Sequence, residues 1–151
     1  MRALEERMRA CGWISQIREV KRVLAEGEAA RARAALDEAK GSRRRAQRAV
    51  DLAQAEWTHS ISSAKQFDPV FAQLWAHEIS ARERRLQEEE KIVSEKRGVE
   101  EATRATWARE VSQSELALTA QRTARHHVIR KRDEIRLNDM ADVTTQRWQS
   151  R

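Results

Sequence analysis

Glycine occurs four times, proline once and tyrosine not at all in this chain of 151 residues. A globular domain of that length buries a thick core and turns several times, and turns draw on Gly and Pro. The shortage of both argues against such a fold. The one cysteine, Cys11, cannot form an internal disulfide. It allows a reducing compartment and otherwise reads as a small apolar helix residue. No stretch approaches the ~20 apolar residues that a membrane-spanning helix needs. The first 25 residues carry Glu5, Glu6 and Glu19 among their apolar positions, unlike a secretory leader. A cytoplasmic chain is expected.

What is abundant is charge and alanine. Lys and Arg number 30, Asp and Glu 24, and only 40% of residues are hydrophobic, many of them Ala. That balance describes either a disordered chain or long helices. Strong helix formers run almost without interruption, which favours helices. The net charge of +6 and pI of about 10.2 invite a nucleic-acid reading. The acidic residues are interspersed with the basic ones, however, as on a solvated, salt-bridged helix surface. The excess is better read as attraction to an acidic partner surface.

The clearest break in the helical pattern is Thr-His-Ser-Ile-Ser-Ser-Ala-Lys-Gln-Phe-Asp-Pro at 58–69. Ser and Thr compete with the helix backbone, and Asp-Pro is a helix-start signature. Asp68 is the expected N-cap and Pro69 the first helical residue, where a missing N–H costs nothing. The chain is therefore expected to be all-α: a single antiparallel coiled-coil hairpin with helix one over about 3–60, a tip over about 61–68 and a longer helix two over about 69–145.

In the second half of helix one, Ala29, Ala32, Leu36, Ala39, Ala46, Val50, Ala53 and Trp57 alternate three- and four-residue steps, broken only at Arg43. That is the seam of a coiled coil. Trp13, Ile17, Val20 and Leu24 form a second stripe out of step with the first, which predicts a stutter near Gly27. Gly41-Ser42 is a second weak point. In helix two, Ile79, Leu86, Val93 and Trp107 share one heptad phase, with Glu100 in the missing slot. Val111 and Leu118 continue an apolar stripe four residues out of that phase.

At ~1.5 Å per residue the helices are expected to be about 85 and about 110 Å long. With a bend near residue 64, residue 10 faces roughly residue 118. Helix two then outruns helix one from near residue 125. That overhang is strongly basic: Arg125, His126, His127, Arg130, Lys131, Arg132 and Arg136.

Catalytic constellations are missing. His126 and His127 are adjacent, so on a helix they point about 100° apart, whereas chelation from a helix wants an i, i+4 pair. There is no Gly-rich phosphate loop and no paired cysteine. A thin hairpin offers no pocket in which catalytic pKa values could be perturbed. No enzyme activity, cofactor, metal or small-molecule substrate is expected. What remains is surface. Trp57, Phe67, Phe71, Leu74 and Trp75 crowd the tip. They either close the turn as a local cluster or dock a partner. The basic runs at 43–45 and 125–136 are either solvated faces or, for the second, a helix awaiting capture.

Three short patches resemble the stalk proteins of type III export machines, the flagellar FliJ and the injectisome YscO or SctO proteins. Ala-Gln-Ala-Glu-Trp at 53–57 looks like that family's end of helix one, closing in Glu-aromatic. Phe71-Ala-Gln-Leu-Trp75 followed by Ile79 looks like its start of helix two, and Arg130-Lys131-Arg132-Asp133-Glu134 like its basic segment closing in Asp-Glu. Length and hairpin layout are similar as well. The resemblance implies a stalk that inserts the joined helix ends into the hexameric export ATPase and stimulates it. The tip would then contact the cytoplasmic domain of the export gate, at the cytoplasmic face of a membrane-embedded secretion apparatus. Carried over by residue, the gate side is Val50, Ala53, Trp57, Phe71 and Trp75. The ATPase side is Arg125, Arg130, Lys131, Arg132, Asp133 and Arg136. The family often has an aromatic where this chain has Ala53.

The resemblance implies a monomer that binds proteins rather than nucleic acid. Two other readings predict different behaviour. A basic helical nucleic-acid binder would bind any duplex with steep salt dependence. A self-associating coiled-coil scaffold would be larger in solution than one hairpin.

Overall fold

A computed structural model describes the backbone of residues 1–63 and 68–149, and the side chains of 1–63 and 68–143. The described residues form two helices, α1 (Arg2–Ser63, 62 residues) and α2 (Pro69–Gln149, 81 residues). They pack against each other as a helical hairpin whose second helix is the longer. Gly27 and Gly41 lie inside α1 without interrupting it.

The end of α1 comes later than the Ser-rich composition suggests. Thr58, Ser60, Ser62 and Ser63 each donate their hydroxyl to the carbonyl four residues earlier, at 2.7–2.8 Å. Hydroxyls bonded in this way stay within the helix instead of competing with it. The expected tip therefore loses residues 61–63 to α1, while 64–67, including Phe67, lie outside the described residues. The start of α2 is as expected. Asp68 Oδ1 accepts the backbone N–H of Val70 at 2.9 Å and of Phe71 at 3.4 Å, and the Asp68 carbonyl accepts from Ala72. This is an N-cap with proline in the first helical position.

The chain divides into two compact units, Met1–Glu26 with Thr106–Arg151, and Gly27–Ala105. In Gly27–Ala105 the seam is apolar. Leu36, Ala39, Ala46, Val50 and Ala53 are buried on α1 and Val93 on α2, and Ile79 and Leu86 are half-buried. Small residues let the helices approach closely: Ala53 is 0% exposed. Two polar links cross between the helices, Arg43 to Glu90 at 3.3 Å and Arg82 to the Ala49 carbonyl at 3.0 Å. The residue numbers of the two pairs centre on 66.5 and 65.5.

The seam of the other unit is different in kind. On α1 the buried or half-buried positions are Leu4, Glu5, Met8, Cys11, Gly12, Ser15, Arg18, Arg22 and Ala25. On α2 they include Trp107, Glu110, Ser114, Gln121 and Val128. Ser114 donates to Glu19 at 3.1 Å, and Arg18 reaches Gln113 and, at 3.6 Å, Glu110. Trp107 occupies the seam as the spacing predicts. Trp13, Ile17, Val20 and Leu24 do not. They are 54–68% exposed, on the outer side of α1. The expected stutter near Gly27 is absent too, because Ser15, Arg18, Arg22 and Ala25 keep the same three-and-four alternation that Ala29, Ala32 and Leu36 follow. Val111 is half-buried and Leu118 exposed, both flanking a phase that passes instead through Ser114, Gln121 and Val128.

Candidate protein-binding surfaces

Near the bend, the Trp57 and Trp75 rings lie 6.3 Å apart, and Phe71 meets Trp75 edge-on at 6.2 Å. Such pairs contribute about 0.5–1.5 kcal/mol beyond the area they bury. The cluster does not hide its members. Phe71 is exposed, Val70 and Leu74 more so, and both tryptophans are half-buried. The two readings of the tip are thus compatible: the rings pack on one another and still face outward. Val50 and Ala53 sit differently. They are buried between the helices beneath the aromatic group, so on a closed hairpin only Trp57, Phe71 and Trp75 of that set offer surface to a partner.

The basic segment of α2 is placed later along the pairing than the sequence implies. Arg132 meets Glu5 at 2.8 Å, and Val128 is 2% exposed. Arg125, Arg130, Lys131 and Arg132 therefore lie alongside the start of α1, and the expected overhang from residue 125 is corrected to one beginning near Arg136. The physical cause is the extra turn by which α1 runs on to Ser63. The bend moves about two residues along, and each turn of α1 then faces a later part of α2. Residues 129–143 are all exposed. Lys131 pairs with Glu134 at 2.8 Å, whereas Arg125, Arg130, Asp133 and Arg136 make no ion pair with another described residue.

Two carboxylates of this unit are tuned by these contacts. The hydrogen bond from Arg132 holds the Glu5 carboxyl below its usual 4.5, against a smaller opposing effect of desolvation. Glu19 is lowered chiefly by the hydrogen bond from Arg22, with Ser114 adding to it, and the same pair raises Arg22. Both carboxylates are spent on holding the hairpin together.

The surface missed by sequence reasoning is the outer face of α1, where Trp13, Ile14, Ile17, Val20, Val23 and Leu24 are all more than half exposed. The signal was available: extending the three-and-four alternation backward from Ala29 lands on Ala25, Arg22, Arg18 and Ser15, not on the larger apolar residues. On one border of this face lies an open groove of about 640 Å³, lined by Leu4, Cys11, Leu116 and Ala120 among others. A second groove, of about 470 Å³, is lined by Arg45, Arg82 and Arg85 together with Glu78 and Glu89, so its charges offset one another.

No His, Cys, Asp or Glu cluster suited to a metal occurs among the described residues, and His126 and His127 are both exposed. Among the described residues no helix is long and apolar enough to cross a membrane. The fold and these surfaces define a two-helix coiled-coil hairpin whose chemistry is presented outward. No protein-family model, curated protein or solved structure matches the chain.

Proposed function

We propose that this chain is a stalk component of a type III protein export apparatus, joining the hexameric export ATPase to the cytoplasmic domain of the export gate and stimulating the ATPase. It has no catalytic role of its own in this reading and works as a monomer. The observation that carries the proposal is the cationic run of α2. Arg125, Arg130 and Arg136 are exposed and in no ion pair with another described residue, and the helix continues past the start of α1. A single helix in water is marginal unless a partner captures it. Arginine forks suit carboxylates lining a ring. The three sequence patches that resemble the export stalks add support, as does the outward-facing aromatic group at Trp57, Phe71 and Trp75.

The test is binding and stimulation of the cognate export ATPase. Arg130→Glu with Arg136→Glu leaves the Glu5–Arg132 pair intact, and is expected to weaken ATPase binding at least tenfold. Trp57→Ala with Phe71→Ala is expected to weaken gate binding while helix content stays unchanged by circular dichroism. Unaltered stimulation and unaltered gate binding in the two variants would remove the proposal.

A further inference from the structure

We propose that the outer face of α1 from Trp13 to Leu24 docks an amphipathic helix of another protein, one whose apolar stripe is flanked by acidic residues. The inference does not depend on the export reading. It starts from an inversion. In this unit the positions facing α2 include Ser15, Arg18 and Arg22, while Trp13, Ile17, Val20 and Leu24 point away from it at 68, 54, 59 and 63% exposure. Scattered apolar residues on a surface need no explanation, but a contiguous row does.

The row has a period. Its steps of four, three and four are those of a coiled-coil seam, so the complementary surface is another helix lying along it. Ile14 and Val23 widen the row on its two sides. Here Arg9 and Gln16 close one border, and Arg7 and Lys21 the other.

Charge selects the kind of helix. From Arg7 to Arg18 the sequence contains no carboxylate. Glu19 is engaged with Arg22 and Ser114, and Glu5 with Arg132. Arg7, Arg9 and Lys21 make no ion pair with another described residue, although the Arg9 charge helps lower Glu5 from a distance. The borders of the stripe thus carry one sign of charge. A second copy of the same face would bring cations toward cations, whereas a helix with Glu or Asp beside its apolar row pairs with them.

The experiment uses the full chain and two designed helical peptides with the same Leu/Ile heptad stripe, one with Glu and one with Lys at the flanking positions. Fluorescence anisotropy of the labelled peptides is read against wild type and the Ile17→Glu, Val20→Glu double variant. Both substituted positions are exposed, so the variant should keep its helix content. The Glu-flanked peptide is expected to bind at least tenfold more tightly than the Lys-flanked one, to weaken with added salt, and to lose at least tenfold in affinity on the double variant. Equal binding of the two peptides, binding of neither, or no loss on the double variant overturns the proposal. Light scattering showing a dimer that the double variant dissociates assigns the stripe to a second copy. Binding to vesicles of anionic phospholipid that the variant abolishes, without peptide binding, assigns it to a lipid surface. Either result also overturns the proposal.

Discussion

The two units share a heptad spacing and place different mixtures of residue on it, almost wholly apolar in one and part polar in the other. In Gly27–Ala105 the buried positions between the helices are Leu36, Ala39, Ala46, Val50, Ala53 and Val93, and the outer faces are mostly charged, with exposed apolar residues near the bend at Val70, Phe71 and Leu74 and at scattered positions such as Leu52 and Val99. In the unit of Met1–Glu26 and Thr106–Arg151 they include Ser15, Arg18, Arg22, Glu110 and Ser114, and large apolar residues look outward. Burial of apolar area holds the first together. The second buries fewer apolar residues, Ala25 and Val128 with Leu4, Met8 and Trp107 half-buried, and adds hydrogen bonds and ion pairs that contribute about 0–1 kcal/mol each when exposed. Apolar residues outside that seam, such as Trp13, Ile17, Val20 and Leu24, contribute little to its stability.

That contrast can be broken at single positions. The largest difference should come from paired truncations, one in each unit. Leu36→Ala removes a 6% exposed side chain from the apolar seam and is expected to cost about 2–3 kcal/mol in urea unfolding followed by circular dichroism. Trp13→Ala deletes a larger side chain yet should cost under about 0.5 kcal/mol, because the group is on the surface. Comparable losses would mean that Trp13 supports the fold after all.

A smaller effect of opposite sign is expected at Ser15. Ser15→Ala should stabilise by about 0.5 kcal/mol, since Ala is the better helix former and Ser15 is buried in the polar seam. Unfolding at fixed pH checks this, and a clear destabilisation would reveal that the hydroxyl is needed.

The smallest effect concerns acid. Because Glu5 has a lowered pKa in the folded chain, its pairing with Arg132 helps at pH values above the ordinary carboxylate range and fades as pH falls below 4.5. Amide protection factors at residues 2–9 and 128–132, corrected for the intrinsic pH dependence of exchange, should therefore fall on acidification before those around Leu36 do. Glu5→Gln should remove that early step, and an unchanged profile would count against the pairing.

Much of the fold could be read from residue order alone. Asp68-Pro69 marks the start of α2 through the physics of capping. The Ala, Leu and Val steps from Ala29 to Ala53 mark the inner face of α1, because there the apolar residues and the buried positions coincide. Where the two part company, the reading failed. Trp13, Ile17, Val20 and Leu24 imitate a seam, and hydrophobicity alone assigned them inward. The phase could instead have been carried backward through Ser15 and Arg18. The pairing register slipped for a local reason: α1 runs on to Ser63 with the hydroxyls of Thr58, Ser60, Ser62 and Ser63 bonded to its own carbonyls, an option that composition does not distinguish from helix breaking. At the candidate sites, Trp57, Phe71 and Trp75 do come together as their numbers suggested. The burial of Val50 and Ala53, and the capture of Arg132 by Glu5, depend on a register that only the folded chain displays.

The unbroken alternation of inward positions also constrains how this chain can change in length. One residue inserted between Ser114 and Val128 would turn everything after it by about 100° around α2, carrying Val128 out of the interface and Arg132 away from Glu5. Seven residues inserted at the same place would restore the facing and shift the pairing by two whole turns. Natural variants of this hairpin should therefore differ by heptads within its paired helices.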